Sequence, residues 1–385
     1  MNDPRCLRRP TRRALLQLGA GAAGLALVAP RLAFAQAATE RRFVFVIQRG
    51  AADGATGTKL DGSFALHPAL VDVARLHAAK EALFVHAVAS PYRDRSHFDG
   101  QNVLETGGSL PYQLKDGWLN RLVAQLPRHH GDAAQEAIAF APTVPMALRG
   151  AAAVASYAPS ALPQANDDLM LRVAQLYQGD AQLHALWASA MDTRGIAMGS
   201  DGGMAGAGNA RQDGAALGKL AAGFLARADG PRIAMIETGG WDTHSAQNPR
   251  LAAQLRNLDA MVAALRDGLG DAWTHTVVLV ATEFGRTAAV NGTGGTDHGT
   301  GAVAMLIGGA VQGGRVVADW PGLGTRALYE GRDLRPTARL DQLIAASAAE
   351  CFGLDAERLG RALFPNGAGV AGPAGVQRLP RLLRA

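Results

Sequence analysis

The stretch Phe43-Val-Phe-Val-Ile47 decides the fold, together with the two segments that follow it. Its β-branched and aromatic residues run without a polar interruption, which is typical of a buried strand. A helix is predicted to open at Leu66-His67-Pro68-Ala69-Leu70 and to extend to about Ala79, and Ala82-Leu-Phe-Val-His-Ala-Val88 is a second predicted strand. Strand, helix and strand with short connections indicate a largely parallel sheet.

The same rhythm continues along the chain. Further strands are predicted at residues 137–141, 233–236, 275–281, 302–307 and 314–318. Helices are predicted from the loop at residues 90–99 through Glu105, from Asp116 as a cap, and at residues 167–191, 249–269, 340–351 and 356–363. The pattern predicts a single α/β domain over residues 36–385, built around a largely parallel sheet. Glycine and alanine dominate residues 195–214, which favours a mobile loop that could act as a lid or hinge.

The N-terminal segment is not expected to belong to the folded domain. Thr11-Arg12-Arg13-Ala14-Leu15-Leu16 begins an apolar run that reaches Pro30, and Ala33-Phe34-Ala35 provides small residues for cleavage. Residues 1–35 resemble a twin-arginine export leader, and an N-terminal membrane anchor is the alternative. We therefore expect recognition by the twin-arginine translocase, no membrane span after cleavage, and a periplasmic or secreted protein.

Removal of the leader would change both the net charge and the cysteine content of the chain. The 385-residue chain has a formal charge of +5, and residues 1–35 contain six arginines and one aspartate, so the rest is neutral. The sequence pI of about 9.5 therefore gives no indication of a nucleic-acid partner. Removal of the leader also removes Cys6 and leaves Cys351 without an internal disulfide partner.

Acidic residues and histidines follow two of the later predicted strands. Asp242 and His244 come after a glycine-containing turn that would let both reach one ligand. Asp242 as a helix cap, with His244 on the surface, is the alternative. Glu283 directly follows another buried run, where it could bind a metal, act as a general base or pair with Arg286.

Two more clusters complete the candidate site. Four glycines surround Asp297 and His298 in the segment Gly294–Gly301, which allows adjacent side chains to point inward. Ser96 lies where a loop enters a helix, so its hydroxyl could cap the helix or act as a nucleophile. Arg95, with Arg49 and Arg93, could bind an anion. His129, His130 and His275 lack the acidic neighbours expected of ligands.

These motifs, taken in order, resemble one family. The matching segments cover nearly all of the chain after residue 35 and are Arg49–Gly54, Leu66–Leu70, Arg95–Gln101, Asp116–Arg121, Thr238–His244, Thr282–Thr287 and Gly295–Gly301. They resemble the DUF1501 family of exported bacterial proteins, which is grouped with the alkaline phosphatase and sulfatase superfamily. The resemblance implies that superfamily's fold, a three-layer α/β/α sandwich, with a divalent-metal site at the edge of the sheet.

The resemblance also implies roles for individual residues. Asp53 matches the first metal-binding aspartate, and Ser96 matches the nucleophile. The remaining ligand positions are Asp242, His244, Glu283 and His298, with Asp297 beside the last. Phe284 stands where the superfamily has a histidine, which implies a one-metal or degenerate site. The context of Ser96 lacks the features of the modified nucleophile of sulfatases.

The sequence therefore predicts an exported, metal-dependent hydrolase of a phosphate or sulfate ester. Zinc is the first choice of metal, with manganese, magnesium and calcium as alternatives, and a small anionic ester is the expected substrate. Ser96 would attack while Arg95 and Arg286 stabilise the anion. The alternatives are a catalytically degenerate protein with a binding or assembly role in the cell envelope, and a structural protein stabilised by calcium.

Overall fold

The structure is a computed structural model and describes residues 39–50, 58–126, 136–158, 167–201, 213–367 and 379–384. The strands are β1 (Arg42–Gln48), β2 (Thr58–Lys59), β3 (Ala65–Leu66), β4 (Ala82–Ala89), β5 (Ala137–Phe140), β6 (Ala155–Ser156), β7 (Ile233–Thr238), β8 (Thr276–Thr282), β9 (Ala302–Ile307), β10 (Arg315–Val317) and β11 (Ala338–Arg339). The α-helices are α1 (Val71–Ala78), α2 (His97–Thr106), α3 (Trp118–Val123), α4 (Asp167–Tyr177), α5 (Ala181–Asp201), α6 (Gly214–Leu225), α7 (Gln247–Leu269), α8 (Leu340–Phe352) and α9 (Ala356–Leu363).

The central sheet is mixed but largely parallel, as predicted. Its order is β10-β4-β9-β8-β1-β7-β5-β6, with β11 beside β4. β1 pairs in parallel with β7 and β8, whereas β9 is antiparallel to both β8 and β4. Because β4 and β8 are each antiparallel to β9, they run in the same direction. The carboxyl ends of β1, β4, β7 and β8 therefore lie at one edge of the sheet.

Helices cover both faces of this sheet. Phe45 on β1 belongs to a core cluster that includes residues of α3, α8 and α9. Its neighbour Val44 points to the other face and belongs to a cluster that includes residues of α1, α6 and α7. Every residue of β1 is buried, because helices exclude water from both sides. The predicted three-layer α/β/α sandwich is confirmed.

Several predicted boundaries differ from the structure for local reasons. Leu66 belongs to β3, and the first helix begins only at Val71. Gly117, not Asp116, is the N-cap residue of α3. A Cβ atom at Gly117 would lie 2.0 Å from the carbonyl oxygen of Ala147, so the close approach of two backbone segments requires glycine there.

The predicted helix at residues 167–191 is two helices. Asp180 accepts hydrogen bonds from the backbone N–H groups of Gln182 and Leu183, and so starts α5. α5 continues through residues 195–201, the first part of the predicted glycine-rich loop, and residues 202–212 of that loop lie outside the described residues. None of the described helices is long and apolar enough to cross a membrane.

Candidate metal centre

The candidate site lies at the carboxyl edge of the sheet, where the loops after several strands meet. His97 is the first residue of α2, which follows β4. Asp242 and His244 lie in the loop after β7, and His298 lies in the long connection between β8 and β9. The common direction of β4, β7 and β8 brings these loops together.

The Nε2 atoms of three histidines surround the carboxylate of Asp242. The Nε2 atoms of His244 and His298 lie 3.0 and 3.3 Å from its Oδ1 atom, and the Nε2 atom of His97 lies 3.3 Å from its Oδ2 atom. The Nε2 atoms of His244 and His298 are 2.9 Å apart. His97, Asp242 and His298 form a group that could hold a metal ion, and His244 adjoins it.

The second nitrogen of each imidazole ring is held by an oxygen atom. His97 Nδ1 lies 2.7 Å from Glu283 Oε1, and His244 Nδ1 lies 3.1 Å from Asp297 Oδ1. His298 Nδ1 lies 2.8 Å from the carbonyl oxygen of Arg95. A carbonyl or carboxylate oxygen accepts, so Nδ1 carries the hydrogen and, in the neutral ring, Nε2 carries a lone pair. This is the arrangement of metal-binding histidines.

A cation would resolve the repulsion that this arrangement creates. Two lone pairs that face each other at 2.9 Å beside a carboxylate repel one another. The buried Nε2 atom of His97 has no hydrogen-bond partner among the described residues. With neutral imidazoles, the described cluster has a formal charge of −2, from Asp242, Glu283, Asp297 and Arg286. The donor atoms and the charge therefore fit a divalent cation.

Glu283, predicted as a metal ligand, lies behind His97. Its side chain is fully buried, and its Oε1 atom accepts hydrogen bonds from His97 Nδ1, Gln101 Nε2 and the backbone N–H of Gly50. Thr282 donates to the other carboxylate oxygen. The alternative of an ion pair with Arg286 is wrong, because that guanidinium pairs with Asp242 instead. Glu283 is placed to orient His97 rather than to bind the ion.

Gly50, at the end of the described stretch 39–50, helps to satisfy the buried carboxylate of Glu283. Gly50 has a φ of +123°, which favours glycine. A Cβ atom there would lie 2.3 Å from the backbone nitrogen of Asp242. Gly50 thus brings the end of β1 against the loop that carries Asp242, with its N–H directed at Glu283. Asp53, the aspartate predicted beyond it, lies outside the described residues.

Arg286 supports Asp242 and is not available to a substrate. Its side chain is fully buried, and Nη1 lies 2.5 Å from Asp242 Oδ1. Nε donates to Thr296 Oγ1 and Nη2 to the Thr296 carbonyl oxygen. The prediction that Arg286 stabilises a substrate anion therefore does not fit its position, because Asp242 and Thr296 occupy the guanidinium.

Arg95 is also occupied, whereas the Ser96 hydroxyl makes no helix cap. Arg95 pairs with Glu330 and with the buried carboxylate of Asp333, which leaves its predicted role in anion binding without support. Ser96 is the N-cap residue of α2 and has extended backbone angles, but its side chain forms no capping hydrogen bond. Ser96 therefore holds the predicted N-cap position, but the side-chain capping hydrogen bond expected there is absent. Ser96 immediately precedes His97, a member of the candidate metal group.

Asp297 lies outside the metal group, on the exposed side of His244. Asn291 Nδ2 donates to its Oδ1 atom and to the carbonyl oxygen of His244, and so ties the two residues together. Gly295 allows this packing, because a Cβ atom there would lie 2.1 Å from the carbonyl carbon of His244. Gly295, Gly299 and Gly301 thus permit close contact between backbones.

Sequence reasoning missed His97 as a ligand. Within that segment a functional role was predicted for Ser96 only, because a histidine at the start of a helix has no sequence signature of a metal ligand. The available signal was its place in the motif Arg95–Gln101, in which Gln101 also contacts Glu283.

Phe284 is part of the wall of the site. It is buried, and its ring centroid lies 4.9 Å from that of His97 and 5.1 Å from that of His298. The phenyl ring thus packs against two of the three imidazoles of the cluster. An imidazole is absent at this position, as the sequence indicated, and the aromatic ring that replaces it restricts the orientation of its neighbours.

The environment shifts the pKa values of three residues in the group. The hydrogen bond that His97 donates to Glu283 raises the pKa of His97, and burial lowers the pKa of His298. Burial alone would raise the pKa of Asp242, but the hydrogen bond and charge of Arg286 outweigh it and lower that pKa. The lowered pKa values of Asp242 and His298 favour the ionised carboxylate and the neutral imidazole that metal binding requires, whereas the raised pKa of His97 favours a proton that a metal ion would displace.

Comparisons with known proteins identify a family but not an activity. The profile of a family described as "Protein of unknown function (DUF1501)" matches residues 60–360. No protein of curated function matches the sequence.

Two solved structures with low similarity complete the comparison. The structure titled "Crystal structure of Ps i-CgsB" has a TM-score of 0.39 and 12% identity, over 84% of this chain and 74% of that one. A 2-O GAG sulfatase, BT1596, has a TM-score of 0.32 and 11% identity, over 82% of this chain and 71% of that one.

Proposed function

The chain belongs to the DUF1501 family, and we propose that it is an exported, metal-dependent hydrolase of a phosphate or sulfate ester. The observation that carries the proposal is the convergence of three imidazole Nε2 atoms on Asp242, with each Nδ1 atom held by an oxygen. His97, Asp242 and His298 would bind the ion, and His244 would complete or border its coordination.

The donor set favours zinc over the other metals. Imidazole nitrogen with carboxylate oxygen is a common zinc environment, whereas magnesium and calcium prefer sites made of oxygen atoms alone. Two ligand atoms on a tetrahedral zinc ion lie about 3.3 Å apart, given Zn–N bonds of about 2.0–2.1 Å. The separations of 2.9 to 3.3 Å around Asp242 are close to that value.

When bound, such an ion supplies a Lewis acid for the oxygen of an ester. Ser96 would provide the attacking hydroxyl, because it precedes His97 at the start of α2 and makes no capping bond. Its position at the N-terminus of this ten-residue helix would favour an anionic group. Glu283 and Arg286 would hold His97 and Asp242 in place.

The export part of the proposal depends on the leader alone. The twin-arginine segment, the apolar run and the small residues at Ala33 and Ala35 favour passage through the twin-arginine translocase to the periplasm or beyond. Such transport of an already folded protein suits a metal loaded before export.

Activity is tested with protein purified after export and analysed for metal. A panel of phosphomonoesters, phosphodiesters and sulfate esters is assayed for the wild type and for Ser96→Ala. We expect turnover of at least one ester class and a loss on the order of 10² to 10⁴ in rate for the variant. The control is Ser109→Ala, beyond the C-terminal end of α2, which should keep the rate. An unchanged rate in Ser96→Ala would remove Ser96 from the mechanism.

A binding or assembly role in the envelope is the second candidate. It is favoured by the occupied guanidiniums of Arg95 and Arg286, since neither is left to neutralise a reacting anion. Bound zinc without turnover of any ester in the panel would support this role over hydrolysis.

A further inference from the structure

The arginines nearest to the metal group are occupied by carboxylates. Arg49 pairs with Glu105 and Glu237, Arg95 pairs with Glu330 and Asp333, and Arg286 pairs with Asp242, as the ion-pair distances of 2.5 to 2.8 Å indicate. Arg93, the other candidate of that segment, is half-buried and donates to the carbonyl oxygens of Ser90 and Tyr92, so the exposed guanidiniums near the site lie elsewhere. Residues 320–335, called the arginine loop below, contain three further arginines, Arg326, Arg332 and Arg335.

The arginine loop packs directly against the metal group. Arg332 Nη2 donates to the carbonyl oxygen of His298, one of the candidate ligands. The backbone N–H of Gly301 donates to the carbonyl oxygen of Leu334, and Thr287 forms a β-bridge with Asp333. The loop therefore packs against the segments that carry His298, Gly301 and Thr287.

Two guanidiniums of this loop keep their positive charge exposed. Arg335 is exposed, and its Nε and Nη2 atoms donate to the carbonyl oxygens of residues 326, 327 and 328. These carbonyls orient the group without neutralising it, and no carboxylate partner of Arg335 exists among the described residues. Arg332 is 43% exposed, and its Nε atom lies 3.4 Å from an Asp333 carboxylate that also pairs with Arg95.

The metal cluster and the arginine loop carry opposite net charges, so each would attract a different kind of ligand. A divalent cation would neutralise the formal charge of −2 of the metal cluster. The arginine loop together with Arg95, which lies just before α2, has a formal charge of +2. The four arginines are Arg95, Arg326, Arg332 and Arg335, and the two carboxylates are Glu330 and Asp333. A positive rim beside a neutralised centre attracts a negative group that is separate from the reacting ester.

We propose that Arg332 and Arg335 bind a second anionic group of the substrate, so that the substrate class is an ester carrying at least one further sulfate, phosphate or carboxylate. This inference rests on the proposed function and narrows its substrate. Each planar guanidinium donates some of its N–H groups to backbone carbonyl oxygens. The remaining N–H groups could bind a tetrahedral or planar anion.

Two small probes test anion binding by Arg332 and Arg335 without the need for turnover. Binding of benzenesulfonate and benzene-1,3-disulfonate is measured by calorimetry on the full chain, at low and high salt. The wild type should bind the disulfonate about tenfold more tightly, and salt should reduce that preference. The double variant Arg332→Gln/Arg335→Gln should lose it.

The control is Arg358→Gln, an exposed arginine near the start of α9, which should keep the preference. Arg335 donates to three backbone carbonyl oxygens, so its replacement could prevent folding. In that case the single variant Arg332→Gln is measured, and this variant should lose part of the preference for the disulfonate. Equal binding of the two probes by the wild type, or an unchanged preference in Arg332→Gln, would overturn the inference.

Metal analysis of the same samples separates the two proposals. A wild type that binds zinc without preferring the disulfonate refutes the rim and leaves the hydrolase proposal intact. A wild type that prefers the disulfonate but binds no metal supports the rim as an anion site and refutes the metal centre.

Discussion

At the scale of single residues, the site is built from imidazoles that are each fixed from behind. Glu283, Asp297 and the carbonyl oxygen of Arg95 hold the Nδ1 atoms, and this leaves the Nε2 atoms directed at Asp242. The carboxylates of Glu283 and Asp297 were predictable as site residues from their positions after strands. Their role behind the histidines was not, because sequence spacing does not distinguish a ligand from the residue that orients it.

The Glu283→Gln variant tests that orienting role. The amide keeps the shape and can still accept a hydrogen bond, but it removes the negative charge behind His97. Metal affinity should fall about 10- to 100-fold. Competition with a chelator measures it, with Glu357→Gln on the surface of α9 as the control. Equal affinity in Glu283→Gln and wild type would contradict the assigned role.

His86 provides a pH-dependent contribution to stability that is independent of the metal. Burial lowers its pKa to about 4, and its ring packs against Phe64 and Trp320. Below pH of about 6.5 the unfolded chain binds a proton at His86 that the folded chain excludes, so stability should fall as pH drops from about 6.5 to 4.

The His86→Phe variant should lose part of that pH dependence. We expect its free energy of unfolding, relative to wild type, to change by on the order of 2 kcal/mol across this range. Denaturant unfolding at several pH values measures the difference, and His275→Phe, at an exposed position, is the control. Parallel pH profiles for His86→Phe and wild type would show that His86 titrates normally.

At the scale of elements, the buried strands were the most predictable parts. β1, β4, β8 and β9 are buried over almost their whole length and contain long apolar runs, so composition and length identify them within a residue or two. Helix starts were less predictable where the cap comes from a distant part of the chain. The first helix was expected at Leu66, but α1 begins at Val71, and its N-terminal N–H groups bind a carboxylate on α7.

That carboxylate is Asp259, which caps α1 across the interface between the two helices. It is buried, and it accepts hydrogen bonds from the backbone N–H groups of Val71, Asp72 and Val73, at 3.1, 3.0 and 2.9 Å. Asp259→Ala should lower the free energy of unfolding by about 2–3 kcal/mol. Asp267→Ala, in an exposed pair on the same helix, should change it by less than about 0.5 kcal/mol. Denaturant titration of both variants checks this, and equal effects would contradict the capping role.

At the scale of the whole molecule, two helical layers bury the sheet and leave its carboxyl edge for the site. The layers and the edge were predictable, since strands buried on both faces imply helices on both sides and parallel strands end together. The pairing of charges at that edge was not. Which arginine meets which carboxylate depends on loops that approach one another across more than two hundred residues, as in the pair Arg95 and Glu330.

Cys351 offers a measure of global unfolding. It is buried on α8, and burial raises the pKa of its thiol to about 12. In a chain without residues 1–35 it is the only thiol, so labelling by a thiol reagent near pH 8 should occur only when the core opens. Labelling rates followed against denaturant should track the unfolding transition. Rapid labelling of the native protein would contradict this.

The metal content of the purified protein tests the central claim most directly. Wild type, Asp242→Ala, His298→Ala and the control His275→Ala are dialysed against zinc under the same conditions, and bound metal is measured by mass spectrometry. The account predicts a zinc ion bound to each chain of wild type and control, and its loss from both Asp242→Ala and His298→Ala, with folding retained. Zinc bound equally by all four proteins, or by none, would contradict it.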